Sequence, residues 1–141
     1  MNEIVDELLK LSKIAYEQNE VPISAVVVDE SMNIIGKGYN QRIKLNDITA
    51  HAEVLALKEA ANKLGDWRLS NCDLYVTLEP CNMCKEIIKE ARIKNVYYLV
   101  KKDENKLGFY KTNIRSINIS TNIDIIEEYK QQLRSFFELK R

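Results

Sequence analysis

The chain is 141 residues long, its hydrophobic content is 45%, and its formal net charge at pH 7 is +0. A balanced charge excludes a global electrostatic attraction to nucleic acid or to an anionic membrane, so such a partner must be recognised locally. No apolar run approaches the roughly 20 residues of a membrane-spanning helix. The first segment is acidic and amphipathic, unlike a signal peptide, and three cysteines fit a reducing compartment, so we expect a cytoplasmic protein.

Helices and strands alternate along the predicted chain. Helices follow from apolar residues three and four positions apart, and strands follow from short extended apolar runs bounded by turn residues. In chain order we predict a helix over 2–19, strands over 21–28 and 34–40 joined as a hairpin, a helix over 51–64, a strand over 73–78, a helix over 80–92, a strand over 95–100, an irregular stretch over 101–112, a short strand over 114–119 and a closing helix over 123–139. Thr49 is the predicted N-cap of the second helix, and Pro80 lies just inside the start of the third. Successive strand–helix–strand units predict parallel pairing, with helices on both faces of the sheet.

A histidine and a pair of cysteines stand at the starts of two of these helices. His51 and Glu53 begin one, and Cys81 and Cys84 begin the next. The two cysteines are one helical turn apart and face the same way, and a helix N-terminus lowers the pKa of a thiol. One imidazole and two thiolates supply three of the four ligands of a tetrahedral zinc ion and leave the fourth position open for water. The pattern predicts a catalytic zinc site.

The count of candidate ligands separates a catalytic zinc from a structural one. The chain has one His and three Cys, whereas a closed structural site needs four protein ligands. Cys72 is the remaining cysteine, but it precedes a predicted strand and lies far along the chain from the helix start at Cys81. Zinc cysteines usually pair at short spacing, so we interpret Cys72 as a buried, inert thiol.

Glu53 is predicted to be a base rather than a ligand, because its carboxylate is turned toward the water beside the metal. Zinc lowers the pKa of a bound water to about 7, and a carboxylate that moves protons contributes about 10²–10⁴-fold in rate. Two plainer interpretations are a structural histidine and a thioredoxin-like redox pair at Cys81 and Cys84. Neither accounts for His51, Glu53 and the cysteine pair together.

These residues resemble the zinc-dependent cytidine and nucleobase deaminases, whose signature is His-x-Glu followed by Pro-Cys-x-x-Cys. Within that superfamily the sequence is similar to the bacterial tRNA adenosine deaminases, which make inosine at the wobble position. The resemblance covers nearly the whole chain and is carried by the segments Glu20–Pro22, Asp47–Glu53, Trp67–Leu69, Leu74–Cys81 and Phe136–Phe137.

The resemblance implies an α/β protein with a three-layer α/β/α, cytidine-deaminase-like fold and a central mixed five-stranded sheet, as a single deaminase domain over residues 1–141. It implies a homodimer with one zinc ion per subunit, held by His51, Cys81 and Cys84. Glu53 is then the catalytic residue, and a tRNA anticodon loop is the partner.

Three further residues match positions that contact the substrate in that family. They are Asn40, Ala52 through its backbone N–H, and Phe137 on the last helix. Asn40 has the alternative of a turn or strand-end residue, and Phe137 with its neighbour Phe136 has the alternative of a core position.

Charge is unevenly distributed along the chain. Residues 1–30 are mainly acidic, and residues 81–115, which contain the candidate thiolates, are mainly basic. A positive surface beside the site favours recruitment of RNA phosphates, although a solvated lysine-rich face explains the same composition. The segment Leu99–Tyr110 departs from the small-residue run that the tRNA enzymes carry there, so we expect a different pocket rim.

The sequence therefore predicts zinc-dependent hydrolytic deamination of adenosine to inosine at the wobble position of tRNA. A deaminase of a free nucleobase or nucleoside, of the guanine or cytosine type, would share the whole metal site and is the first alternative. A non-catalytic RNA-binding subunit with a structural zinc is the second, and the presence of Glu53 argues against it.

Overall fold

The predicted helices and strands occur in the predicted order, and a short helix over Arg42–Leu45 is additional to them. The computed structural model of the protein describes residues 2–101, 114–116 and 123–140. The helices are α1 (Asn2–Glu17), α2 (Arg42–Leu45), α3 (Ala52–Leu64), α4 (Asn82–Glu90) and α5 (Ile123–Ser135), which continues as a π-helical segment over Phe136–Lys140. The strands are β1 (Ser24–Val28), β2 (Ile34–Tyr39), β3 (Asp73–Leu78), β4 (Asn95–Val100) and β5 (Ile114–Ser116). None of the helices in this described part is long and apolar enough to cross a membrane.

The strands form one mixed sheet in the order β2-β1-β3-β4-β5. Strand β1 pairs antiparallel with both β2 and β3, which confirms the predicted hairpin. Strands β3 and β4 are parallel, as the helix between them requires. The short β5 pairs parallel with β4, and the remainder of its predicted range, 117–119, lies outside the described residues, as does 102–112. The mixed α/β architecture is confirmed.

Side chains that alternate along β1 build a separate core on each face of the sheet. Ala25 and Val27 pack with residues of α3 and α4 on one face. Val26 and Val28 pack with residues of α1 and with Tyr129 of α5 on the other. Because successive side chains of a strand point to opposite faces, this alternation produces three layers, with helices above and below the sheet.

Two glycines of β2 let α3 lie directly on the sheet. A Cβ atom at Gly38 would lie 2.2 Å from the backbone oxygen of Ala52, and one at Gly36 would lie 2.2 Å from that of Ala56. Real Cβ atoms do not approach oxygen so closely, so a larger residue at either position would push the helix away. The glycines therefore set the height above the sheet at which α3 begins.

The ends of the two central helices differ from the predicted ones. His51, not Thr49, is the N-cap of α3, because Asp47 Oδ1 already accepts the backbone N–H and the hydroxyl of Thr49, at 2.8 and 2.7 Å. Likewise α4 begins at Asn82 with Cys81 as N-cap, rather than at Pro80, since the backbone of Cys81 is extended. Each helix thus starts at a candidate metal ligand.

Candidate active site

The two helix starts bring the three candidate metal ligands together. His51 precedes α3, Cys81 precedes α4, and Cys84 lies in the first turn of α4. Their ligand atoms all lie within 4.8 Å of one another. Helices α3 and α4 lie on the same face of the sheet, so residues 30 and more positions apart converge on one point.

The distances between these atoms fit a tetrahedral zinc ion. His51 Nδ1 lies 3.8 Å from Cys81 Sγ and 3.5 Å from Cys84 Sγ. With usual Zn–N and Zn–S bond lengths, tetrahedral geometry places nitrogen and sulfur about 3.6 Å apart. Three protein ligands leave a fourth position for a water or a substrate, which is the arrangement of a catalytic site.

The protein groups alone disfavour a negative charge on Cys84. Its pKa is raised by a hydrogen bond with Cys81, by burial and by the nearby carboxylate of Glu53. The sequence predicted a lowered pKa from the helix N-terminus, whereas Cys81, burial and Glu53 shift the pKa of Cys84 in the opposite direction when no cation is present. A divalent cation reverses the balance, since a coordinated thiol is deprotonated outright.

Glu53 lies beside the ligands without belonging to the ligand group. It is in the first turn of α3 and is 4% exposed. Its influence on the pKa of Cys84 places its carboxylate next to the thiols. A buried carboxylate at this position can exchange protons with a molecule held at the open coordination position.

Asn40 and Ala52 meet at the edge of the site. The side-chain oxygen of Asn40 accepts the backbone N–H of Ala52 at 2.9 Å, and Asn40 is 3% exposed. This bond sets the orientation of the carboxamide, because the oxygen must face α3. The N–H of Ala52 thus already has a partner within the protein, and its contact with a substrate stays a prediction.

A cleft of about 410 Å³ adjoins Asn40. Its walls come from the end of α1, from the loop over residues 40–48 and from Phe136. Phe136 is buried and packs edge-on against Tyr16, whereas Phe137 is 45% exposed. The two aromatic residues therefore divide the roles that the sequence left open: Phe136 packs against the body of the domain and Phe137 faces outward.

Cys72 takes no part in the site. It is 3% exposed, forms no disulfide, and belongs to the core between the sheet and α3. Burial raises the pKa of its thiol. The predicted core position of Cys72 is confirmed, and its inertness stays a prediction.

Sequence reasoning missed three polar residues that support the site. The carboxylate of Glu20 accepts backbone N–H groups of α2. Lys85 Nζ lies 3.5 Å from Glu79 Oε2, so this nearly buried ion pair spans the Pro80–Cys81 segment. The hydroxyl of Tyr129 lies 2.7 Å from the carbonyl oxygen of Pro22 and attaches α5 to the body of the domain. The available signal was weak: Lys85 follows Cys81 by four positions, one helical turn.

Residues 1–100 match the family described as the cytidine and deoxycytidylate deaminase zinc-binding region. The chain belongs to this family. It is 38% identical over 143 residues to the tRNA-specific adenosine deaminase of Haemophilus influenzae, covering 94% of this chain and 80% of that protein.

Solved structures agree with this assignment. A chain from studies of A-to-I editing by tRNA:A34 deaminases superposes with a TM-score of 0.74 at 35% identity, covering 82% of this chain and 97% of that one. A guanine deaminase from Bacillus subtilis superposes with a TM-score of 0.66 at 27% identity, covering 92% and 91%. The cytidine-deaminase-like fold and a zinc-dependent hydrolytic activity follow from family membership, and the resemblance inferred from the sequence is confirmed.

Substitution of the two paired cysteines tests the metal site. We expect Cys81→Ala and Cys84→Ala each to lower zinc affinity by more than about 100-fold. Substitution of a residue that only hydrogen-bonds to a metal ligand already lowers metal affinity by about 10–100-fold. Zinc content of the purified variants, measured by elemental analysis, checks this. Cys72→Ala is the matched control and should retain about one zinc per chain, as a site with three protein ligands does. Loss of zinc from the control, or full retention in Cys81→Ala, would contradict the assigned ligands.

Proposed function

We propose that this chain deaminates adenosine to inosine at the wobble position of tRNA. The observation that carries the proposal is the convergence of His51, Cys81 and Cys84 at zinc-ligand distances with a separate buried Glu53 beside them. Relatives whose names specify this substrate, at 38% identity over most of the chain, support the choice of base and of RNA. Such a tRNA substrate implies a cytoplasmic enzyme.

Glu53 is proposed to carry the protons of the reaction. Zinc, when bound by His51, Cys81 and Cys84, supplies an activated water. The carboxylate of Glu53 takes one proton from that water and passes it to the ring nitrogen of the base. It then takes the second proton, from the hydroxyl that has been added to the base, and gives it to the amine, which leaves as ammonia. Burial favours this shuttle, because a carboxylate shielded from solvent exchanges its proton with the reacting groups rather than with bulk water.

Asn40 is proposed to orient the base. Its oxygen is engaged by Ala52, at 2.9 Å, so the amide nitrogen is the part of the side chain that can donate to a ring acceptor of the substrate. The cleft that Asn40 lines gives the target nucleotide a place outside its stack. Ala52 thus contributes to substrate binding through Asn40, besides the direct contact that the family resemblance implies.

RNA contacts are proposed for exposed side chains near this cleft, at the end of α4 and in the segment that follows α4. Phe137 offers a ring on which a base can stack. Lys89, Arg92 and Lys94 are exposed and can neutralise phosphates. Lys85 is different, because it is nearly buried and paired with Glu79.

Activity on tRNA and on free bases separates the proposal from its alternative. A guanine-type deaminase is the second candidate, because the structural likeness to the guanine deaminase extends over 92% of this chain. The zinc-loaded protein is incubated with tRNA that has adenosine at the wobble position, with the same tRNA carrying guanosine there, and with free guanine and cytosine. We expect inosine in the first tRNA and no ammonia from the free bases. Ammonia from free bases alone would contradict the tRNA assignment.

Removal of the Glu53 carboxylate tests its catalytic role. We expect Glu53→Gln to retain zinc and to lose at least about 10²-fold in turnover, the usual contribution of a general acid–base group. Glu59, on the exposed side of the same helix, provides the control, and Glu59→Gln should leave turnover unchanged. Wild-type turnover in zinc-loaded Glu53→Gln would refute the role.

A homodimer is proposed on the family resemblance, and an apolar surface of the chain supports it. Trp67 is 54% exposed and lines a shallow groove between α3 and α4 together with Val54, Leu57 and Ile87. Val54 and Leu57 are buried in this groove, so Trp67 is the large exposed ring that a second copy of the chain could cover. Light scattering on the purified chain should give about twice the monomer mass, because two copies associate around a two-fold axis. A mass of 16.4 kDa, that of one chain, would contradict the proposal.

A further inference from the structure

We propose that Glu20 is a positioning residue that holds one wall of the substrate cleft and thereby sets substrate affinity. The inference rests on the proposed function for the identity of the substrate. Its structural part, the attachment of the loop over residues 41–50 to the body of the domain, stands independently. Glu20 lies 20 residues before Asn40 and precedes the sheet, so nothing in the local sequence links it to the site.

The carboxylate of Glu20 is buried against backbone N–H groups. Glu20 is 3% exposed. Its Oε2 accepts the N–H of Ile43 at 3.0 Å and that of Lys44 at 2.9 Å, and its Oε1 lies 3.2 Å from the N–H of Ile43. A buried carboxylate is costly without such partners, and bonds between an ionised oxygen and N–H groups are about twice as strong as neutral ones.

Helix α2 needs this carboxylate because its own N-cap supplies none. Gln41 makes no capping hydrogen bond with its side chain. The first N–H groups of a helix have no partner within it, and in α2 two of them point to Glu20. Glu20 therefore replaces a local cap with one from the segment between α1 and β1, more than 20 positions away.

The remaining bonds attach only the base of the loop. Gln41 donates its backbone N–H to the carbonyl oxygen of Ala50 at 3.0 Å, and Asn40 accepts that of Ala52. Asp47 holds Thr49 within the loop itself. Among the described residues, Glu20 is the side chain that ties α2, which directly follows Gln41, to another part of the domain.

The held loop borders the cleft that Phe136 also lines. Arg42, Ile43, Asn46 and Asp47 line the cleft together with Asn40 and Glu20. The loop begins next to Asn40 and ends next to His51, but its base keeps its own bonds. Release of α2 should therefore widen the cleft and weaken substrate binding, while zinc and Glu53 stay in place.

The chemistry of the side chain predicts an order among variants. Glutamine keeps the length of Glu20 and one oxygen that can accept both N–H groups, as Oε2 does, but it lacks the charge and places an NH₂ donor where Oε1 faces the N–H of Ile43. Alanine keeps neither acceptor. We therefore expect Glu20→Ala to have a larger effect than Glu20→Gln.

The experiment measures KM and kcat for tRNA with zinc-loaded wild type, Glu20→Gln, Glu20→Ala and Glu17→Ala. Glu17 is exposed and three positions away, so its substitution removes the same charge without touching the loop. Loss of a negative charge alone strengthens RNA binding. We expect the opposite for Glu20: KM rises about tenfold in Glu20→Ala, the equivalent of one lost charge-assisted hydrogen bond, rises less in Glu20→Gln, and kcat changes by less than about threefold.

Amide hydrogen exchange gives a readout that does not depend on activity. The amides of Ile43 and Lys44 should exchange at least about tenfold faster in Glu20→Ala, because they lose a charge-assisted hydrogen bond. The exchange rates of the β3 amides should be unchanged. If wild type does not act on tRNA, the proposed function fails and exchange still tests the loop. If wild type is active but both Glu20 variants match Glu17→Ala in KM, or if those two amides keep their protection, the inference is overturned. A fall in kcat or zinc content with unchanged KM would also overturn it.

Discussion

Two thiols and an imidazole that face one another in the protein interior are the constraint on which the rest of this structure depends. Protein groups alone raise the pKa of Cys84, and a bound cation favours the thiolate that zinc coordination requires. The distances from His51 Nδ1 to the two sulfur atoms, 3.8 and 3.5 Å, match those around a tetrahedral zinc. Every other feature of the site is arranged around this cluster. Helices α3 and α4 begin at its ligands, Glu53 stands beside it, and Asn40 lines the approach.

Backbone packing fixes the positions of the residues in this cluster. Gly36 and Gly38 allow α3 to rest on β2 at a height that no side chain would permit. The bond between Asn40 and Ala52 then ties the end of β2 to the first turn of α3. On the cysteine side, the ion pair of Lys85 with Glu79 connects the first turn of α4 to the segment before it. A side chain added at Gly38 would displace the first turn of α3, and with it His51 and Glu53.

The other buried polar side chains of the described residues also have hydrogen-bond partners. No buried side-chain nitrogen or oxygen among the described residues lacks a hydrogen-bond partner. The hydroxyl of Tyr129 meets Pro22 and Thr77, and the backbone N–H of Ser24 donates to Thr77 Oγ1 at 3.1 Å. This network joins α5 to β1 and β3, so the outward-facing Phe137 is carried on a helix with a defined position. Burial raises the pKa of Tyr129, which keeps its hydroxyl neutral and able to donate.

Local pattern determined every strand and all the longer helices of this protein, together with the candidate metal ligands and the proposed base, because each is encoded within a few positions. The His-x-Glu and Cys-x-x-Cys spacings place ligands and carboxylate by helix geometry alone, and the alternation of β1 marks two buried faces. Tertiary structure decided what depends on distant partners. His51 is the N-cap in place of Thr49, because Asp47 binds Thr49. Buried neighbours raise the pKa of the Cys84 thiol. Glu20 caps α2 from another part of the chain. Such contacts join residues far apart in sequence, and only the folded sheet and its helices bring them within hydrogen-bond distance.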